Sequence, residues 1–324
     1  MQVLVVGGAG YIGSHMVKRL SQRGFAVTVL DNLCAGHRDA VKSGRFVLGD
    51  LGERDVLDEL LGATRFDGVM HFASHIQVGE SVREPAKYYL NNVFKTQYLL
   101  DAMVAHRVKC FIFSSTAAIF GEPVRVPIDE DHPKQPINPY GRGKWMVEQM
   151  LQDYDVAYGL KSVSLRYFNA AGADPEGELG ERHDPETHLI PLVLRAAAGQ
   201  APQVTVFGTD YDTPDGTCIR DYIHVADLCE AHLLALQRLW AGSDSAAYNL
   251  GNGNGFSVRE VIDAARTVTG RDIPVVYGER RPGDPARLVA DARRARVELG
   301  WEPRYADLAA MVGHAWQWET RRQE

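Results

Sequence analysis

Two side chains with complementary acid–base chemistry stand four residues apart near the middle of the sequence. Tyr140 and Lys144 follow Pro139, a residue type that often opens a helix, so both would project from one helix face a turn apart. A nearby ammonium favours the phenolate and lowers the pKa of a tyrosine from about 10 toward neutrality. The pair could therefore accept a proton in catalysis. The alternative is an exposed helix that carries both residues incidentally, and the spacing alone does not separate the two interpretations.

Three hydroxyl residues precede this pair in the sequence. Ser114, Ser115 and Thr116 end a predicted strand, and open α/β sheets bind ligands at the carboxyl ends of their strands. We interpret Thr116 as a hydroxyl that relays a proton between a substrate and Tyr140. We expect Ser114 and Ser115 to make structural hydrogen bonds in a turn. The added hydroxyl favours a catalytic site over an incidental helix.

A glycine-rich turn near the start of the chain predicts a dinucleotide site. The segment 7–13, GGAGYIG, follows the first predicted strand and opens the first helix. Gly7, Gly10 and Gly13 allow positive φ, a close approach of backbone N–H groups to a pyrophosphate, and tight packing of helix on strand. Glycine turns are common, so this motif is weak by itself. With such a cofactor bound, Lys144 would also hydrogen-bond the nicotinamide ribose.

Two carboxylates bear on which dinucleotide binds and where its adenosine lies. Asp31 ends the second predicted strand, where it can accept hydrogen bonds from both hydroxyls of an adenosine ribose. It would repel a 2′-phosphate, and no arginine directly follows it, so NAD is favoured over NADP. Asp50 and Leu51 end the third strand. They could meet the adenine or form an ordinary helix N-cap region, and both interpretations stay open.

The elements that position these residues alternate regularly along the first half of the chain. Short β-branched runs alternate with amphipathic stretches of helical length, which predicts βαβ units and a doubly wound, Rossmann-type α/β fold with a parallel sheet. The predicted strands are Val3–Val6, Ala26–Leu30, Phe46–Leu48, Gly68–Phe72, Cys110–Ser114 and Ser162–Tyr167. The predicted helices are Ile12–Arg23, Arg54–Leu61, Pro85–His106 and Tyr140–Tyr158.

The amino-acid composition of the sequence changes after Asn169. Residues 170–185 are rich in Gly, Pro, Glu and Asp and predict an irregular segment. We predict a dinucleotide-binding domain over residues 1–169, with a return segment at about 221–252, and a smaller α/β nucleotide-sugar-binding domain over 170–220 and 253–324. The later predicted elements are a strand end with a helix over Ile223–Trp240, the strands Tyr248–Leu250, Pro274–Tyr277 and Leu288–Ala290, and the helices Val258–Thr269, Arg293–Leu299 and Tyr305–Thr320.

Composition excludes several classes of protein. A net charge of −7 argues against a nucleic-acid partner, and the apolar runs are too short to cross a membrane, so we expect a cytoplasmic protein. Four scattered cysteines predict free thiols rather than disulfides or a zinc site. The eleven histidines form no HxxxH pattern, and His183 and His188 have no obvious third partner. We therefore expect no metal site.

Taken in order, these motifs resemble those of UDP-galactose 4-epimerases, in the extended short-chain dehydrogenase/reductase superfamily. The matching stretches are Gly7–His15, Leu30–Leu33, His71–Ala73, Val78–Val82, Tyr88–Val93, Phe111–Thr116, Pro139–Lys144, Leu165–Asn169, Gly216–Val225, Tyr248–Gly251 and Arg281–Asp284. The resemblance implies that UDP-glucose and UDP-galactose are interconverted. Tyr140 would take the proton of the sugar 4-hydroxyl and NAD the hydride of carbon 4, and the 4-keto sugar would turn over before its reduction.

The resemblance also implies which residues bind the two nucleotides. Those implied for NAD are Gly7, Gly10, Tyr11, Ile12, Gly13, Asp31, Asn32, Leu33, Asp50, Leu51, Phe72, Ala73, Ser74, Asn91, Thr116, Tyr140, Lys144 and Phe168. Those implied for the UDP-sugar are Thr116, Tyr140, Asn169, His188, Leu189, Thr205, Phe207, Arg220, Arg281 and Asp284. A diphosphate favours guanidinium donors, which supports the arginines; a solvated surface charge is the alternative for each one alone.

The sequence departs from the family pattern at four positions. Thr116 stands where serine is frequent, Ile76 where a lysine contacts the cofactor, and His188 where asparagine adjoins the uridine. Leu288 replaces a tyrosine that narrows the sugar pocket in some members, so UDP-GlcNAc and UDP-GalNAc are alternative substrates.

Three further alternatives follow from the same motifs. A UDP-glucuronate 4-epimerase or decarboxylase would form the same ketone. A dehydratase is disfavoured because Ala117 and Ala118 stand where a carboxylate would be needed for elimination. A non-catalytic NAD-binding regulator is disfavoured by the intact Thr116, Tyr140 and Lys144. The resemblance also implies a homodimer through the two helices predicted over 85–106 and 140–158, and core packing is the alternative for their apolar residues.

Overall fold

A seven-stranded parallel sheet lies at the centre of the computed structural model, which describes residues 1–281 and 284–321. In chain order the strands are β1 (Gln2–Val6), β2 (Ala26–Asp31), β3 (Arg45–Leu48), β4 (Gly68–His71), β5 (Cys110–Thr116), β6 (Lys161–Tyr167), β7 (Asn169–Ala171), β8 (Val204–Phe207), β9 (Ile219–Arg220), β10 (Tyr222–His224), β11 (Ala246–Leu250), β12 (Phe256–Ser257), β13 (Val275–Gly278) and β14 (Arg287–Leu288). The large sheet has the order β11-β6-β5-β4-β1-β2-β3. Its strands are buried on both faces, as expected for a sheet that helices cover on both sides.

Helices cover both faces of this sheet, and others pack outside it. They are α1 (Tyr11–Gln22), α2 (Arg54–Ala63), α3 (Val78–Arg83), α4 (Pro85–Tyr89), α5 (Lys95–Ala105), α6 (Pro139–Tyr158), α7 (Leu189–Ala197), α8 (Val225–Trp240), α9 (Val258–Thr269), α10 (Arg293–Leu299) and α11 (Leu308–Arg321). Leu20 of α1 and Leu228 of α8 are buried against one face of the sheet, and Leu57, Leu99 and Val147 of α2, α5 and α6 against the other. The predicted doubly wound α/β fold is confirmed.

A third apolar core lies outside the large sheet. Val193 of α7, Val261 of α9 and Met311 of α11 are fully buried in it. Three small sheets surround it, with the orders β10-β7, β12-β9-β14 and β13-β8. Trp301, just after α10, instead packs in the core under α1 and α8, so the stretch around α10 joins the large sheet rather than the third core. The division into two domains stays a prediction.

The helix predicted over Pro85–His106 is wrong as a single element. A five-residue π-helical turn over Leu90–Phe94 separates α4 from α5. The cause is a polar tether: the buried Asn92 side chain accepts from the backbone N–H of His75 and donates to its carbonyl, both at 2.9 Å. Such a tether holds the chain to the loop after β4 and distorts the helix locally.

Other differences are smaller. The irregular segment predicted over 170–185 begins with the short strand β7, which pairs with β10. The strand predicted at Leu288–Ala290 is a two-residue strand followed by one bridge between Ala290 and Ile128. The elements α3, α7, β8, β9 and β12 were not predicted. Within residues 1–281 and 284–321, none of the helices combines the length and the apolar character needed to cross a membrane.

Helix α6, which carries two of the predicted catalytic residues, has well-defined ends. The Asn138 side chain caps its first turn by accepting from the backbone N–H of Gly141 at 2.8 Å, and Pro139 occupies the first helical position. Gly159 ends the helix in the left-handed region with φ of 66°. The start of α6 is therefore fixed beside the carboxyl end of β5.

Candidate active site

The glycine turn between β1 and α1 is shaped for close backbone approach. Gly7 has φ of +79°, and a Cβ at this position would lie 2.5 Å from the backbone nitrogen of Ala73. A Cβ on Gly13 would lie 2.1 Å from the carbonyl oxygen of Gly7. Helix α1 begins at Tyr11, and its N-cap, Gly10, has no side chain that could occupy the helix end. The turn thus offers a helix N-terminus to an anion, which fits the pyrophosphate of NAD.

Asp31 lies where the sequence predicts a ribose-binding carboxylate. It ends β2, and its side chain accepts from the backbone N–H of Ala9 at 2.9 Å and of Leu33 at 2.8 Å. These two bonds fix the carboxylate against the glycine turn while each oxygen keeps a further lone pair. The carboxylate can therefore receive ribose hydroxyls without rearrangement.

Asp50 follows β3 beside Asn32, and the two side chains are hydrogen-bonded at 2.6 Å. Lys95 forms an ion pair with Asp50 at 2.6 Å. The N-cap of α2 is Glu53 rather than Asp50, so the carboxylate precedes the helix instead of capping it. Leu51, beside it, is buried. Contact of this pair with adenine stays a prediction.

The predicted catalytic residues converge where β5 ends and α6 begins. Lys144 is buried, and its ammonium donates to the carbonyl oxygen of Ser114 at 2.7 Å and to the hydroxyl of Ser74 at 2.8 Å. The Thr116 side chain acts on the pKa of the buried Tyr140 phenol, so these two side chains lie close together. A phenol, an alcohol and an ammonium therefore share one small site at the carboxyl edge of the sheet.

Burial dominates the electrostatics of this site. It lowers the pKa of Lys144 to about 7, with the Glu148 carboxylate acting in the opposite direction. Burial also raises the pKa of Tyr140, and the side chain of Thr116 opposes that rise. The lowering of the Tyr140 pKa by the Lys144 ammonium stays a prediction.

The two serines of β5 hold the strand to its neighbours. The Ser115 hydroxyl donates to Glu148 at 2.5 Å, and Glu148 forms a buried ion pair with Arg166 at 2.6 Å. The Ser114 hydroxyl lies 3.1 Å from Nε2 of His232. Their role is structural as expected, but their partners are side chains on other elements rather than groups within a turn. Sequence reasoning missed Glu148, although it lies one helical turn after Lys144.

The remaining residues implied for NAD follow the strands nearest the glycine turn. Phe72, Ala73 and Ser74 follow β4, Asn91 lies in the π-helical turn, and Phe168 follows β6. The Tyr11 phenol donates to the carbonyl oxygen of Gly172 at 2.6 Å. The Ile12 side chain packs against the core beneath α1. Their assignment to the cofactor stays a prediction, and their common place at the carboxyl edge of the sheet supports it.

Half of the residues implied for the UDP-sugar lie around β8 and β9. Arg220 of β9 forms an ion pair with Asp284. The Arg281 guanidinium stacks on the Phe207 ring, 4.1 Å from its centroid, and Thr205 is exposed on the same strand as Phe207. One guanidinium is thus stacked on an aromatic ring and another is paired with a carboxylate, and both groups suit a nucleoside diphosphate.

The other residues implied for UDP lie at two helix and strand ends. Asn169 begins β7, and its side chain donates to the carbonyl oxygen of Asp221 at 3.0 Å. His188 is the N-cap residue of α7, and Leu189 is its first helical residue. Their contacts with uridine stay a prediction.

The statement that His183 and His188 lack a third partner is wrong. Glu181 and Glu186 lie against both imidazole rings, and one ligand atom from each of the four residues lies within 4.8 Å of the other three. Spacing rules did not predict that these side chains converge, because the four residues are spaced irregularly in a segment without helix or strand. We call these four residues the His–Glu cluster.

Comparison with known proteins agrees with this geometry. Residues 3–251 match the family described as NAD dependent epimerase/dehydratase family. A UDP-glucose 4-epimerase of Halalkalibacterium halodurans is 53% identical over 98% of this chain and 95% of its own length. The structure of the UDP-glucose 4-epimerase of Brucella ovis in complex with NAD has a TM-score of 0.96 and 52% identity, covering 97% of each chain.

A second solved structure carries both kinds of ligand. It is the UDP-glucose 4-epimerase of Stenotrophomonas maltophila with bound NAD and formylated UDP-arabinopyranose, with a TM-score of 0.97 and 40% identity over 100% of this chain and 99% of that one. The chain therefore belongs to the NAD dependent epimerase/dehydratase family and, within it, to the UDP-glucose 4-epimerases.

Proposed function

We propose that this chain interconverts UDP-glucose and UDP-galactose with NAD as its bound cofactor. The observation that carries the proposal is the convergence of Thr116, Tyr140 and Lys144 at the sheet edge that also holds the glycine turn and Asp31. Epimerisation at carbon 4 needs a proton acceptor and a hydride acceptor on the same carbinol, and this edge brings the two requirements together.

The chain's own residues manage the proton. Tyr140 takes the proton of the sugar 4-hydroxyl, and Thr116, whose side chain lies near the phenol, can relay it. When bound, NAD supplies a positive charge near the phenol and the hydride acceptor and donor for carbon 4. Lys144 holds the nicotinamide ribose, a role that suits its buried ammonium. Tyr140 returns the proton to the other epimer, so no proton or electron is consumed over a cycle.

The fit of NAD rests on two features of the chain. A Cβ on Gly7 or Gly13 would clash with the chain's own backbone, so these glycines allow the tight turn that presents the N-terminus of α1 to a pyrophosphate. Asp31 accepts ribose hydroxyls and disfavours a 2′-phosphate by charge repulsion. We assign the wider set of residues implied by the resemblance to the same cofactor.

Contacts with the UDP portion would supply most of the substrate binding energy. Arg220 and Arg281 can bind the diphosphate, and the Phe207 ring lies directly beneath the second guanidinium. The 4-keto sugar must turn so that hydride can return to the opposite face of carbon 4. The hexose itself therefore cannot be held tightly. Binding at the remote nucleotide satisfies both needs, because it anchors the substrate without fixing the sugar ring.

The test is conversion by the purified protein alone. UDP-galactose is incubated with the protein without added cofactor, and the nucleotide sugars are separated and quantified. We expect UDP-glucose to accumulate, together with NAD released on denaturation of the protein. Absence of UDP-glucose from a preparation that contains bound NAD would contradict the proposal.

A second substrate pair, UDP-GlcNAc and UDP-GalNAc, is favoured by one observation. Leu288 is half-buried and packs against the apolar cluster that contains Ala117, the residue after Thr116. It also pairs with Arg220 through β14 and β9, so it lies between the catalytic and UDP residues. A leucine leaves room there that a tyrosine would fill. Turnover of UDP-GlcNAc beside UDP-galactose tests this extension.

We also propose a homodimer, a two-domain division and a cytoplasmic location. Leu90 and Phe94 in the π-helical turn are 53% and 52% exposed, and Met146 on the neighbouring α6 is 42% exposed. These apolar side chains support a dimer through the surface of α4, α5 and α6. A monomer in light scattering would exclude the homodimer.

The cytoplasmic location is supported by the cysteines, all four of which are free thiols.

A further inference from the structure

Four ligand-type side chains converge in the irregular segment between β7 and α7. Nδ1 of His183 lies 3.0 Å, and Nδ1 of His188 2.8 Å, from Oε1 of Glu181. Oε2 of Glu186 lies 3.7 Å from Nδ1 of His183. Ligand atoms on a tetrahedral zinc ion with bonds of about 2.0–2.1 Å are about 3.4 Å apart. Nδ1 of His188 also lies 2.8 Å from Oε1 of Glu186. Three of these four separations are hydrogen-bond distances, so those side chains would move slightly apart to take up an ion.

Glu186 is oriented for a ligand by its own backbone environment. Its Oε1 accepts from the backbone N–H groups of Thr187 at 2.8 Å and His188 at 2.9 Å. Its side chain has no exposed surface, and its Oε2 has no hydrogen-bond donor. A buried carboxylate oxygen without a donor is costly. Oε1 is thus held by the backbone and by Nδ1 of His188, and Oε2 lies 3.7 Å from Nδ1 of His183.

A second carboxylate cluster in the same part of the chain provides a contrast. Asp174, Glu176 and Glu178 surround the ammonium of Lys18 at 2.8, 2.6 and 2.9 Å. There the chain supplies its own cation. In the His–Glu cluster the carboxylates face two imidazoles instead of an ammonium. A divalent cation bound by the imidazole nitrogens would supply the positive charge that Lys18 supplies in the other cluster.

We propose that the His–Glu cluster binds one Zn²⁺ ion per chain. Two imidazole nitrogens and two carboxylate oxygens form a donor set that zinc accepts in tetrahedral geometry. Glu181 and Glu186 are buried, whereas the His188 side chain is 38% exposed and leaves an entry path for the ion. The site is separate from the epimerisation chemistry, and the proposal does not depend on the proposed function.

The ion would fix a segment that touches both nucleotide sites. The ring of His183 makes an edge contact with Tyr11, at 6.4 Å between centroids, next to the glycine turn. His188 is the N-cap residue of α7 and is itself one of the residues that the resemblance implies for the UDP-sugar. Zinc would therefore order the chain between the cofactor and the nucleotide sugar, and its structural role would be to hold that segment in place.

The test is an isothermal titration calorimetry experiment. Zn²⁺ alone is titrated into the tag-free full chain after dialysis against a chelator. We expect one ion per chain with a Kd of about 10 μM or lower. His183→Gln and Glu186→Gln should each weaken binding at least about tenfold, since each removes one ligand. Glu176→Gln, in the cluster that Lys18 occupies, is the matched control and should bind zinc as the wild type does. The thermal unfolding of each variant is measured alongside.

Co²⁺ provides the second measurement. Tetrahedral nitrogen and oxygen ligation gives strong visible absorption, whereas cysteine ligation adds a sulfur charge-transfer band in the near ultraviolet. No saturable binding of Zn²⁺ up to about 100 μM, unchanged binding in His183→Gln, or a sulfur band would each overturn the proposal. If Glu186→Gln does not fold because that side chain is buried, the more exposed His183 decides the outcome.

Discussion

Two charged residues that we assign to the cofactor are more buried than two of the residues that we assign to UDP. Asp31 and Lys144 are only 8% and 3% exposed, whereas Thr205 and Arg281 are exposed. Buried groups with fixed partners are pre-organised and favour long retention of a ligand, while exposed side chains can rearrange as a ligand arrives and leaves. The difference matches an enzyme that keeps its cofactor and exchanges its substrate at every turnover.

The two regions also differ in how their charges are compensated. Lys144 has hydrogen bonds to a carbonyl and a hydroxyl but no ion pair with a carboxylate in the described residues, so burial lowers its pKa. Arg220 forms an ion pair with Asp284, and a diphosphate could take the place of that carboxylate. We therefore expect substitutions in the cofactor region to change turnover and NAD retention, and those in the UDP region to change KM.

Tyr140→Phe should have the largest effect, because it removes the only group that we assign to take the proton. We expect kcat to fall about 10²- to 10⁴-fold with NAD content and thermal stability unchanged. Tyr158→Phe, at the exposed end of the same helix, is the control. Wild-type turnover by the Tyr140 variant would remove the mechanism.

Asp31→Asn tests retention of the cofactor. The amide keeps an acceptor for the turn but loses the charge that ribose hydroxyls favour, so NAD affinity should fall about 10- to 100-fold. The measurement is NAD content after gel filtration, together with recovery of kcat on addition of excess NAD. Asp58→Asn, at an exposed carboxylate, is the control. Full retention of NAD by the Asp31 variant would contradict the cofactor assignment.

Arg220→Met tests the UDP region. KM for UDP-galactose should rise about tenfold while kcat stays within about threefold, as expected when binding common to ground state and transition state is lost. Arg271→Gln, at an exposed arginine distant in sequence from the site, should leave both constants unchanged. A loss confined to kcat in Arg220→Met would show that the two regions are not separable in this way.

Lys144→Met tests the buried charge through stability. The folded pKa of about 7 lies below the ordinary value of 10.5, so the folded state binds fewer protons than the unfolded state between these pH values. The cost to stability is complete below pH 7 and fades as the pH rises toward 10.5. In nucleotide-free protein the variant should be more stable by about 1 kcal/mol or more at pH 6, with a smaller gain at pH 9. A gain independent of pH would contradict the lowered pKa.

Leu288→Tyr should have the smallest effect. A larger side chain near the sugar should lower kcat/KM for UDP-GlcNAc relative to UDP-galactose by about threefold, since space rather than chemistry changes. Both substrates are compared in wild type and variant. An unchanged ratio would mean that Leu288 does not limit the sugar pocket.

Much of the fold could be predicted because buried strands carry a strong local signal. The runs that became β1 and β2 are rich in valine, and the helix between them is amphipathic. The break at Leu90–Phe94 could not be predicted in the same way. It depends on hydrogen bonds from Asn92 to a loop 17 residues earlier in the chain, and periodicity does not record such contacts.

The candidate site was predicted unevenly for a related reason. Residue types and spacing identified Tyr140, Lys144 and Asp31, because each chemistry depends on a particular side chain. They did not predict the raised pKa of Tyr140, which depends on burial in three dimensions. Nor did they find Glu181 beside the two histidines, because ligand-spacing rules assume helices or tight turns and this segment has neither.

The most direct test of the central claim follows the hydrogen on carbon 4. UDP-galactose carrying deuterium at carbon 4 is converted by the purified protein in ordinary water, and the product is analysed by mass spectrometry and NMR. Hydride removal and return predicts that UDP-glucose keeps the deuterium at carbon 4. Loss of the deuterium to solvent would contradict the account, because it would mean that carbon 4 gives up a proton rather than a hydride.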